Sequence, residues 1–382
     1  MAEIKNLKKA AQRIIIAIKN EEKIILYGDA DLDGVGALII LKETIKNLGG
    51  EIQAVYFPDR ETEGYGISEI GLNSLKKFAR AILIAVDCGI TNFKEVKLAK
   101  KFGFEVIIID HHEVLDKLPQ ASIIVDPKQK GDKYPFKGLA TVGVVFLLSK
   151  VLLKERLTES MRRNFLELVA LSTIADMMPR EEDNNVFIAE GLKSLENSWR
   201  PGIRAFLETD FFKTFPEMTR KISKIVSILN IRDVEKNLPA SFRLLTSSSL
   251  DESKTLIARL IEKSEVRRQK IAEITEEVEG RLAKEDSPLV FEGNAAWDFT
   301  LISPVASIIC QRHQKPTFIY KVLGSESQGT VRVPSEINSV ALMKKCSKLL
   351  LTFGGHPLAS GFRIKNENLE KFKNCLLKNL TT

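Results

Sequence analysis

The sequence predicts an α/β protein with an N-terminal doubly wound parallel sheet, a long connecting helix and a smaller C-terminal α/β domain. Three observations lead to this prediction. Short apolar runs rich in Ile, Val and Leu alternate with helical patterns in the first half of the chain. Apolar residues then recur at helical spacing through a densely charged segment. A second alternation of strand-like and helix-like segments follows that segment.

The first half contains five predicted strands, each bounded by Gly, Asp or Pro, at residues 23–27, 52–57, 81–86, 105–109 and 121–125. Helical patterns separate them at residues 36–48, 67–78 and 93–102. Two longer apolar helices are predicted at residues 138–153 and 159–175. The pattern becomes less regular after Asp176, and residues 199–201 are a candidate boundary.

The second half begins with one long helix, or a broken pair of helices, predicted at residues 250–284. Its apolar stripe is too irregular for the strict heptads of a coiled coil. Further along we expect strands at residues 316–322 and 329–333, a helix at 339–351 and a glycine-rich turn at 353–361. These patterns predict three domains, at residues 1–195, 196–285 and 286–382.

Composition limits the classes of protein to consider. The chain has 382 residues, of which 44% are hydrophobic and 28% charged, an ordinary balance for a globular protein. No apolar run is long enough to cross a membrane, and the N-terminus resembles an amphipathic helix, so we expect a cytoplasmic protein. The net charge of +7 permits a polyanionic substrate. Four scattered cysteines lack the spacing of zinc ligands, and we expect reduced thiols.

Carboxylates directly follow three of the predicted strands. The first strand leads into Asp29, Asp31 and Asp33, a second ends at Asp87, and a third ends at Asp110, before His111 and His112. Since ligands of open parallel sheets bind outside the carboxyl ends of the strands, these side chains should meet at one edge. Crowded carboxylates repel one another unless a cation offsets them. Oxygen ligands with one imidazole suit Mg²⁺ or Mn²⁺, and histidine favours Mn²⁺.

Each of these residues also has a structural interpretation. An aspartate after a strand is commonly a helix N-cap or part of a solvated turn. An EF-hand is excluded, because Ile40 stands at the twelfth loop position and the segment follows a strand. The joint pattern is more specific, since two of the chain's four histidines stand together behind one strand-end aspartate. We therefore favour a metal site.

The motifs YGDADLDGVGA, VDCGIT and DHHE resemble, in this order, the first three motifs of the DHH phosphoesterase superfamily. STIADMMP resembles the fourth. FPDRETEGYGIS, at residues 57–68, and DPKQKGDKYPFKGLATVGVVF are similar to stretches of the RecJ-like branch, whose members degrade single-stranded DNA. GGHPLASGF, at residues 354–362, resembles the signature of the associated DHHA1 domain. The resemblance covers most of residues 20–200 and, more weakly, 285–382.

This resemblance implies two divalent cations, Mn²⁺ by preference and Mg²⁺ as an alternative. Carried over, the ligands are Asp29, Asp31, Asp33, Asp87, His111 and Asp176, with Asp87 between the two ions. Asp110 is then expected to orient His111, and His112 to contact the scissile phosphate or the leaving oxygen. Asp87, Asp110, His111 and His112 form the implied catalytic set. The implied reaction is hydrolysis by a metal-activated water.

The resemblance also implies a site for the strand end. Arg60 and Arg332, with Thr330 beside it, match positions that hold a terminal phosphate, and an arginine fork suits phosphate. Gly354, Gly355 and His356 are expected to bring backbone donors close to a phosphate. For Arg332 an exposed position on a strand is a nearly equal alternative. The Gly-Gly-His segment alternatively forms only a tight loop.

Several segments depart from the RecJ-like pattern. Thr330-Val331-Arg332-Val333 replaces the usual Ser-x-Arg-Ser. Residues 237–243 match an Asn- and Arg-containing motif only weakly, and residues 297–307 lack the usual His and Gly. We expect no OB-type domain in this chain. The departures leave three functional hypotheses open. They are a 5′-to-3′ exonuclease of single-stranded DNA rather than RNA in repair or replication, alone or with a protein partner; an oligoribonuclease or small-nucleotide phosphodiesterase; and a catalytically silent replication scaffold.

Overall fold

The structure is a computed structural model, and it describes residues 3–60, 62–115, 117–215, 217–283 and 287–380, except for the side chain of His356. The chain divides into two compact units, Met1–Ile261 and Glu262–Thr382. The domain limits predicted after residues 195 and 285 stay predictions. Within the described ranges, no helix is both long enough and apolar enough to span a membrane.

The first unit is built on a five-stranded parallel sheet. Its strands are β1 Ile24–Gly28, β2 Ile52–Tyr56, β3 Ile82–Val86, β4 Glu105–Ile109 and β5 Ile123–Val125. They run in the order β2-β1-β3-β4-β5, and all neighbours are parallel. This order changes direction between β1 and β3, which is the switch point where ligands of such sheets bind. The prediction of a parallel sheet is confirmed.

Twelve helices accompany the sheet among the described residues of this unit, the last extending past its limit. They are α1 Leu7–Lys19, α2 Leu32–Asn47, α3 Glu69–Leu75, α4 Phe93–Lys101, α5 Thr141–Leu153, α6 Glu159–Ala175, α7 Glu182–Leu195, α8 Pro201–Glu208, α9 Asp210–Lys213, α10 Met218–Leu229, α11 Ala240–Leu245 and α12 Leu250–Leu282. A short hairpin, β6 Val234–Glu235 and β7 Leu238–Pro239, precedes α11. The predicted helix at 159–175 agrees with α6. The helix predicted at 250–284 agrees with α12 except that α12 already ends at Leu282, and residue 284 lies outside the described residues.

Alternate residues of the strands enter two different cores. Ile24 and Leu26 of β1 pack with α1, α2, α5 and α6, whereas Ile25 and Tyr27 pack with α3 and α4. Side chains of a strand point alternately to the two faces of its sheet, so both faces are apolar and covered. This arrangement explains the continuous apolar runs of the sequence. It also leaves the carboxyl edge of the sheet as the place where polar side chains converge.

The second unit contains a mixed sheet. Its elements are β8 Val290–Asn294, α13 Phe299–His313, β9 Thr317–Leu323, β10 Glu326–Arg332, α14 Ser339–Lys345, β11 Leu350–His356, β12 Ala359–Lys365 and α15 Leu369–Leu380. The strand order is β11-β12-β10-β9-β8, parallel only between β8 and β9. Two predictions were wrong here. The helix predicted at 339–351 ends at Lys345, and the glycine-rich turn is a β-hairpin made of β11 and β12.

Two cysteines of this unit form a disulfide. Cys346, directly after α14, pairs with Cys375 of α15, and their Cα atoms lie 6.1 Å apart. The expectation of four reduced thiols was therefore wrong for this pair. Cys88 and Cys310 are free and buried, as expected. A separation of 29 residues carries no spacing signal, so the pairing could not be read from the sequence.

Candidate metal centre

The loop after β1 places three aspartates at the switch point of the sheet. Asp31 is the N-cap of α2, and its Oδ1 accepts hydrogen bonds from the backbone N–H groups of Asp33 and Gly34 at 3.0 and 3.1 Å. A Cβ at Gly34 would lie 2.4 Å from the carbonyl oxygen of Asp29, so only glycine lets the chain fold this tightly. Asp29 and Asp33 are buried as a result, whereas Asp31 is partly exposed.

Asp33 is held by the beginning of α5. Its carboxylate accepts hydrogen bonds from the N–H groups of Thr141, at 2.7 Å, and Val142, at 2.9 Å. These are first-turn N–H groups that have no partner inside the helix, and the positive end of the helix dipole favours an anion there. The N-cap residue Ala140 has no side chain that could cap the helix. Asp33, which lies 108 residues before Thr141 in the sequence, therefore caps α5, and the helix in turn holds its carboxylate in place.

Asp87 follows β3 with a left-handed backbone, at φ 61°. This conformation is unfavourable for most residues other than glycine, and aspartate tolerates it better than larger side chains. Its carboxylate is 2% exposed, and Oδ1 accepts a hydrogen bond from the Thr141 hydroxyl at 2.9 Å. The strand end thus turns Asp87 inward, toward the acids that follow β1.

The segment after β4 presents Asp110 and two histidines. Nδ1 of His111 lies 3.1 Å from the carbonyl oxygen of Leu139, so that nitrogen carries the hydrogen and Nε2 is free to accept a metal. Asp110 was expected to orient His111. Its carboxylate instead contacts the ring of His112, with Oδ1 2.7 Å from Nδ1, and meets only the backbone N–H of His111.

The six predicted ligands divide into two groups of three side chains. Their candidate ligand atoms lie within 4.8 Å of one another in each of two triads, Asp29–Asp31–Asp87 and Asp33–His111–Asp176. Nε2 of His111 is 3.5 Å from both Asp87 Oδ1 and Asp176 Oδ2, so the triads adjoin. A further group joins Asp87, His111 and His112. Segments far apart in the sequence thus converge on one site, as the strand-end pattern predicts.

The protonation of the centre reflects burial and crowding. Burial raises the pKa values of Asp33 and Asp87 well above the usual range. Repulsion by Asp176 adds to this effect for Asp33, and repulsion by Asp33 adds to it for Asp87. Burial, with Asp31 next in effect, raises the pKa of Asp176 to about 6. Burial lowers the pKa of His111 to about 3, so its ring is neutral, as metal binding requires.

Asp110 and His112 form an ion pair at the edge of the centre. Burial lowers the pKa of His112, but the hydrogen bond to Asp110 and its charge outweigh this effect and raise the pKa above the usual value. For Asp110, burial raises the pKa, and the hydrogen bond and charge of His112 overcome it and lower the pKa to about 2. The charge of Asp110 therefore favours the protonated form of His112.

Arg60 contacts the predicted ligands directly. Its guanidinium donates hydrogen bonds to both oxygens of Asp29, with Nε 3.1 Å from Oδ1, and to Asp31 Oδ2 at 2.9 Å. A cavity of about 340 Å³ adjoins this contact. Its lining includes Asp31, Asp33, Arg60 and Asp176 from the centre, and Asn230, Arg232 and Ser241 from the region around β6 and β7.

Three residues of the site were missed from the sequence. Thr141 contacts two predicted ligands, and it lies in the stretch at residues 126–146 that is similar to the RecJ-like branch, which could have indicated it. The hydroxyl of Tyr65 donates to the carbonyl of Asp87 at 2.9 Å and lies 3.1 Å from Nδ1 of His112. Tyr65 belongs to the EGYG stretch of the resemblance, which could have indicated it. Arg232, which pairs with Asp59 at 2.8 Å, lies in a segment without regular pattern.

The predicted substrate-binding residues of the second unit form a separate group. Thr330 and Arg332 lie on β10, and Arg332 donates hydrogen bonds to Ser303 at 2.7 Å, Ser307 at 3.1 Å and Thr330 at 3.1 Å. A cavity of about 480 Å³ is lined by residues that include Ser303, Thr330 and Gly354.

The two adjacent glycines of the second unit differ in their surroundings. Gly355 has a φ of 132°, and a Cβ there would lie 2.7 Å from the carbonyl oxygen of Ala359, so the hairpin itself requires glycine. Open space surrounds the Cβ position of Gly354. The side chain of His356 lies outside the described residues, so its predicted role stays a prediction.

The chain is similar to known proteins in sequence and in fold. Residues 23–173 match the DHH family, N-terminal domain. A single-stranded-DNA-specific exonuclease RecJ from Bacillus subtilis is 32% identical over 390 residues, which cover 98% of this chain and 48% of that protein. The chain thus spans about half the length of this relative.

Two solved structures also match over nearly the whole chain. A crystal structure of exonuclease RecJ bound to manganese has a TM-score of 0.79 and 26% identity, with 99% of this chain and 94% of that chain covered. RecJ from Thermus thermophilus in complex with Mn²⁺ has a TM-score of 0.83 and 25% identity, with 98% and 55% covered.

Proposed function

We propose, from the premise that this chain is a RecJ-like member of the DHH family, that it is a metal-dependent exonuclease acting 5′ to 3′ on single-stranded DNA. The observation that carries the proposal is the convergence of six ligand-type side chains into two adjoining triads. Five carboxylates and one imidazole in a buried site suit two divalent cations of the Mn²⁺ or Mg²⁺ type. Such a site is suited to activate a water molecule for the hydrolysis of a phosphodiester.

The residues present fit these cations. Oδ2 of Asp176 is buried and has no hydrogen-bond partner among the residues that the structure describes, as expected of a metal ligand. Burial, with repulsion between carboxylates next, raises the pKa values of Asp33 and Asp87, and a cation would offset both effects. The related structures are bound to manganese by their own description. Asp29, Asp31 and Asp87 would hold one ion, and Asp33, His111 and Asp176 the other, with Asp87 next to both.

When bound, two divalent cations would lower the pKa of a water molecule and offset the charge of the scissile phosphate. The protein's own groups then orient the reaction. His112 carries a proton on a ring that Asp110 and Tyr65 hold in place. It is suited to contact a phosphate oxygen, or to give its proton to the oxygen that leaves. Asp110 raises the pKa of His112 and so favours its protonated form, which suits either role.

The second unit supplies a candidate site for the end of the strand. Arg332 contacts only hydroxyl and carbonyl oxygens and has no carboxylate partner within the described part of the chain. A half-buried guanidinium without a counter-charge favours a phosphate as its ligand. Thr330 and Gly354, which line the neighbouring cavity, support the same assignment. These contacts support Arg332 and Thr330 as the residues that hold a terminal phosphate.

Degradation of labelled strands tests the proposal. The full chain is incubated with Mn²⁺ and a thirty-nucleotide DNA strand labelled at its 5′ or 3′ end, with a matched RNA strand in parallel. We expect mononucleotide release at once from a 5′ label and progressive shortening from a 3′ label. Absence of trimming in every strand, with Mn²⁺ binding retained, would instead support the silent scaffold. Immediate loss of the 3′ label would reverse the proposed polarity.

A small-nucleotide phosphodiesterase is the second candidate. The cavity beside the centre, about 340 Å³, falls within the size range of small-molecule sites, which favours a short substrate. The same enzyme preparation is compared on a dinucleotide and on the thirty-nucleotide strand. A kcat/KM at least about tenfold higher for the dinucleotide, equivalent to about 1.4 kcal/mol, would select this function over the exonuclease.

Two parts of the proposal rest on the sequence and not on the geometry of the site. They are a cytoplasmic location and a protein partner from the replication or repair machinery. Fractionation of cells that express the tagged full chain tests the first. Co-purification at physiological salt, with and without nuclease treatment to remove bridging DNA, tests the second.

A further inference from the structure

Thr141 contacts both triads of the candidate metal centre. Its backbone N–H donates to Asp33 Oδ2 at 2.7 Å, and its hydroxyl donates to Asp87 Oδ1 at 2.9 Å. Asp33 belongs to one triad and Asp87 to the other. The side chain of Thr141 is fully buried at the first position of α5, so water does not compete for these hydrogen bonds.

The two contacts depend on different parts of the residue. Any residue except proline supplies the N–H group at this position, so Asp33 stays capped after most substitutions. The hydroxyl is available only from threonine or serine among residues of similar size. It is the only hydrogen-bond donor to the Asp87 carboxylate among the residues that the structure describes. Without it, that carboxylate can rotate about its terminal bond.

The orientation of Asp87 matters because it stands between the triads. Its Oδ1 lies 3.5 Å from Nε2 of His111, a ligand of the second triad, while the same carboxylate belongs to the first. The backbone of Asp87 is already fixed in a left-handed conformation, which leaves the carboxylate torsion as the remaining freedom. A hydrogen-bond donor that holds a ligand in place typically strengthens metal binding by reducing this freedom.

We propose that the Thr141 hydroxyl is a positioning group that holds the Asp87 carboxylate between the two triads and thereby increases the affinity of the chain for divalent cations. This inference rests on the proposed metal-dependent function. It assigns the beginning of α5 a double role, in which the backbone fixes one acid and the side chain fixes the other. Thr141 itself touches neither the substrate nor an ion.

The test measures Mn²⁺ affinity without any nucleic acid. Titration calorimetry and the relaxation of water protons by Mn²⁺ are applied to the full chain at one fixed pH, for the wild type, Thr141→Val and Thr141→Ser. We expect Thr141→Val to weaken Mn²⁺ binding by about 10- to 100-fold, the usual effect of removing such a contact. Thr141→Ser keeps the hydroxyl and should stay within about threefold of the wild type.

Thr44 provides a matched control. It is also fully buried in the first unit, and its hydroxyl donates to Ser149 at the same distance of 2.9 Å, away from the acids. Thr44→Val should lower the melting temperature without changing Mn²⁺ affinity. If Thr141→Val does not fold, judged by circular dichroism, Thr141→Ala replaces it, because alanine starts a helix without strain and also lacks the hydroxyl.

The outcomes separate this inference from the proposed function. If the wild type binds no Mn²⁺, both are overturned. If the wild type binds Mn²⁺ and the valine or alanine variant binds it equally well, only the role of Thr141 is overturned. If Thr141→Val weakens Mn²⁺ binding, we also expect its activity to be low at limiting Mn²⁺. Most of the lost activity should return when Mn²⁺ is raised to saturate the variant.

Discussion

The guanidinium of Arg60 donates hydrogen bonds to Asp29 and Asp31, two carboxylates of the first triad. Asp29 is fully buried while the Arg60 side chain is about half exposed, so the arginine reaches into the centre from solvent. Asp29 and Asp31 are also among the residues proposed to hold an ion. Arg60 and a cation therefore compete for the same ligands, and a bound phosphate would draw the arginine away.

Arg60→Ala should consequently separate metal affinity from substrate affinity. Removal of a partly exposed positive charge beside the triad should tighten Mn²⁺ binding by up to about fivefold, the scale of about 1 kcal/mol. Loss of the guanidinium group, which can donate two parallel hydrogen bonds to a phosphate, should raise KM for a 5′-phosphorylated strand by at least about tenfold. Calorimetry and initial rates measure the two effects. Arg163→Ala, which removes an exposed arginine paired with Glu159, is the control and should change neither quantity.

Asp87→Asn tests the central ligand with little change of shape. Asparagine also tolerates a left-handed backbone and can accept the Thr141 hydroxyl, so the fold should persist. We expect activity to fall by at least about a thousandfold and Mn²⁺ binding to weaken severely, since one ligand charge is lost. The metal-free protein should melt at a higher temperature, because a buried repulsion is removed. Asp132→Asn, outside the centre, should leave Mn²⁺ binding intact; a normal affinity in Asp87→Asn would contradict the ligand assignment.

The architecture of the first unit follows from local patterns, whereas the contacts that tune the centre do not. Apolar runs on both faces of the sheet predicted β1 to β5, and strand-end acids predicted the triads, because parallel strands bring their carboxyl ends together. The contact between Thr141 and Asp87 joins residues 54 positions apart. Its sequence signal, a threonine at the start of a helix, is also satisfied by ordinary capping.

The errors in the second unit have a similar origin. The leucines at 349–351 continue a helical pattern from α14, but the structure places the last two of them at the start of β11, where pairing with β12 decides their conformation. Short apolar segments have no unique local preference, so tertiary pairing prevails. Pairing between Cys346 and Cys375 likewise depends on the packing of α14 against α15.

The crowded acids predict how pH affects the metal-free protein. Folding raises the pKa values of Asp33 and Asp87, and that of Asp176 to about 6, above the ordinary value of 3.8. Such groups add stability at pH values below their unfolded pKa, and this stability is lost as pH rises through the folded pKa. With EDTA present, we expect the melting temperature to fall by roughly 5 °C between about pH 5 and pH 7.5.

Manganese should reverse this trend, because the ligands bind it in their ionised form. The increase in melting temperature on adding Mn²⁺ should be larger at about pH 7.5 than at pH 5. Asp126 is not a predicted ligand, but burial raises its pKa to about 7. Its ionisation therefore also lowers the stability of the fold as pH rises. Asp176→Asn and Asp126→Asn separate the two, since only the first should diminish the Mn²⁺ effect. An equal Mn²⁺ effect at both pH values would refute this account.

Arg332→Ala should alter the choice of strand end. Its guanidinium has no carboxylate partner among the described residues, so a phosphate is a suitable counter-charge. We expect the ratio of kcat/KM between 5′-phosphate and 5′-hydroxyl strands to fall by about tenfold, the scale of one charged hydrogen bond. Arg312→Ala removes an arginine of the same unit that pairs with Glu279 and should leave the ratio unchanged. If the ratio is also unchanged in Arg332→Ala, β10 does not hold the strand end.

Tyr65→Phe tests whether the phenol positions His112. The Tyr65 hydroxyl donates to the carbonyl of Asp87 and lies 3.1 Å from Nδ1 of His112, while the two rings make an edge contact with centroids 5.5 Å apart. Phenylalanine keeps the ring and removes only the hydroxyl. We expect kcat to fall by about three- to tenfold, the scale of one hydrogen bond, with unchanged Mn²⁺ affinity.

Tyr134→Phe is the matched control, because its hydroxyl contacts Asp183 elsewhere in the same unit and should not affect kcat. If Tyr65 acts through His112, its substitution should have no further effect on kcat when His112 is already alanine, because residues that act as a unit are not additive. Independent losses in the double variant would show that Tyr65 acts by another route, such as direct contact with the strand.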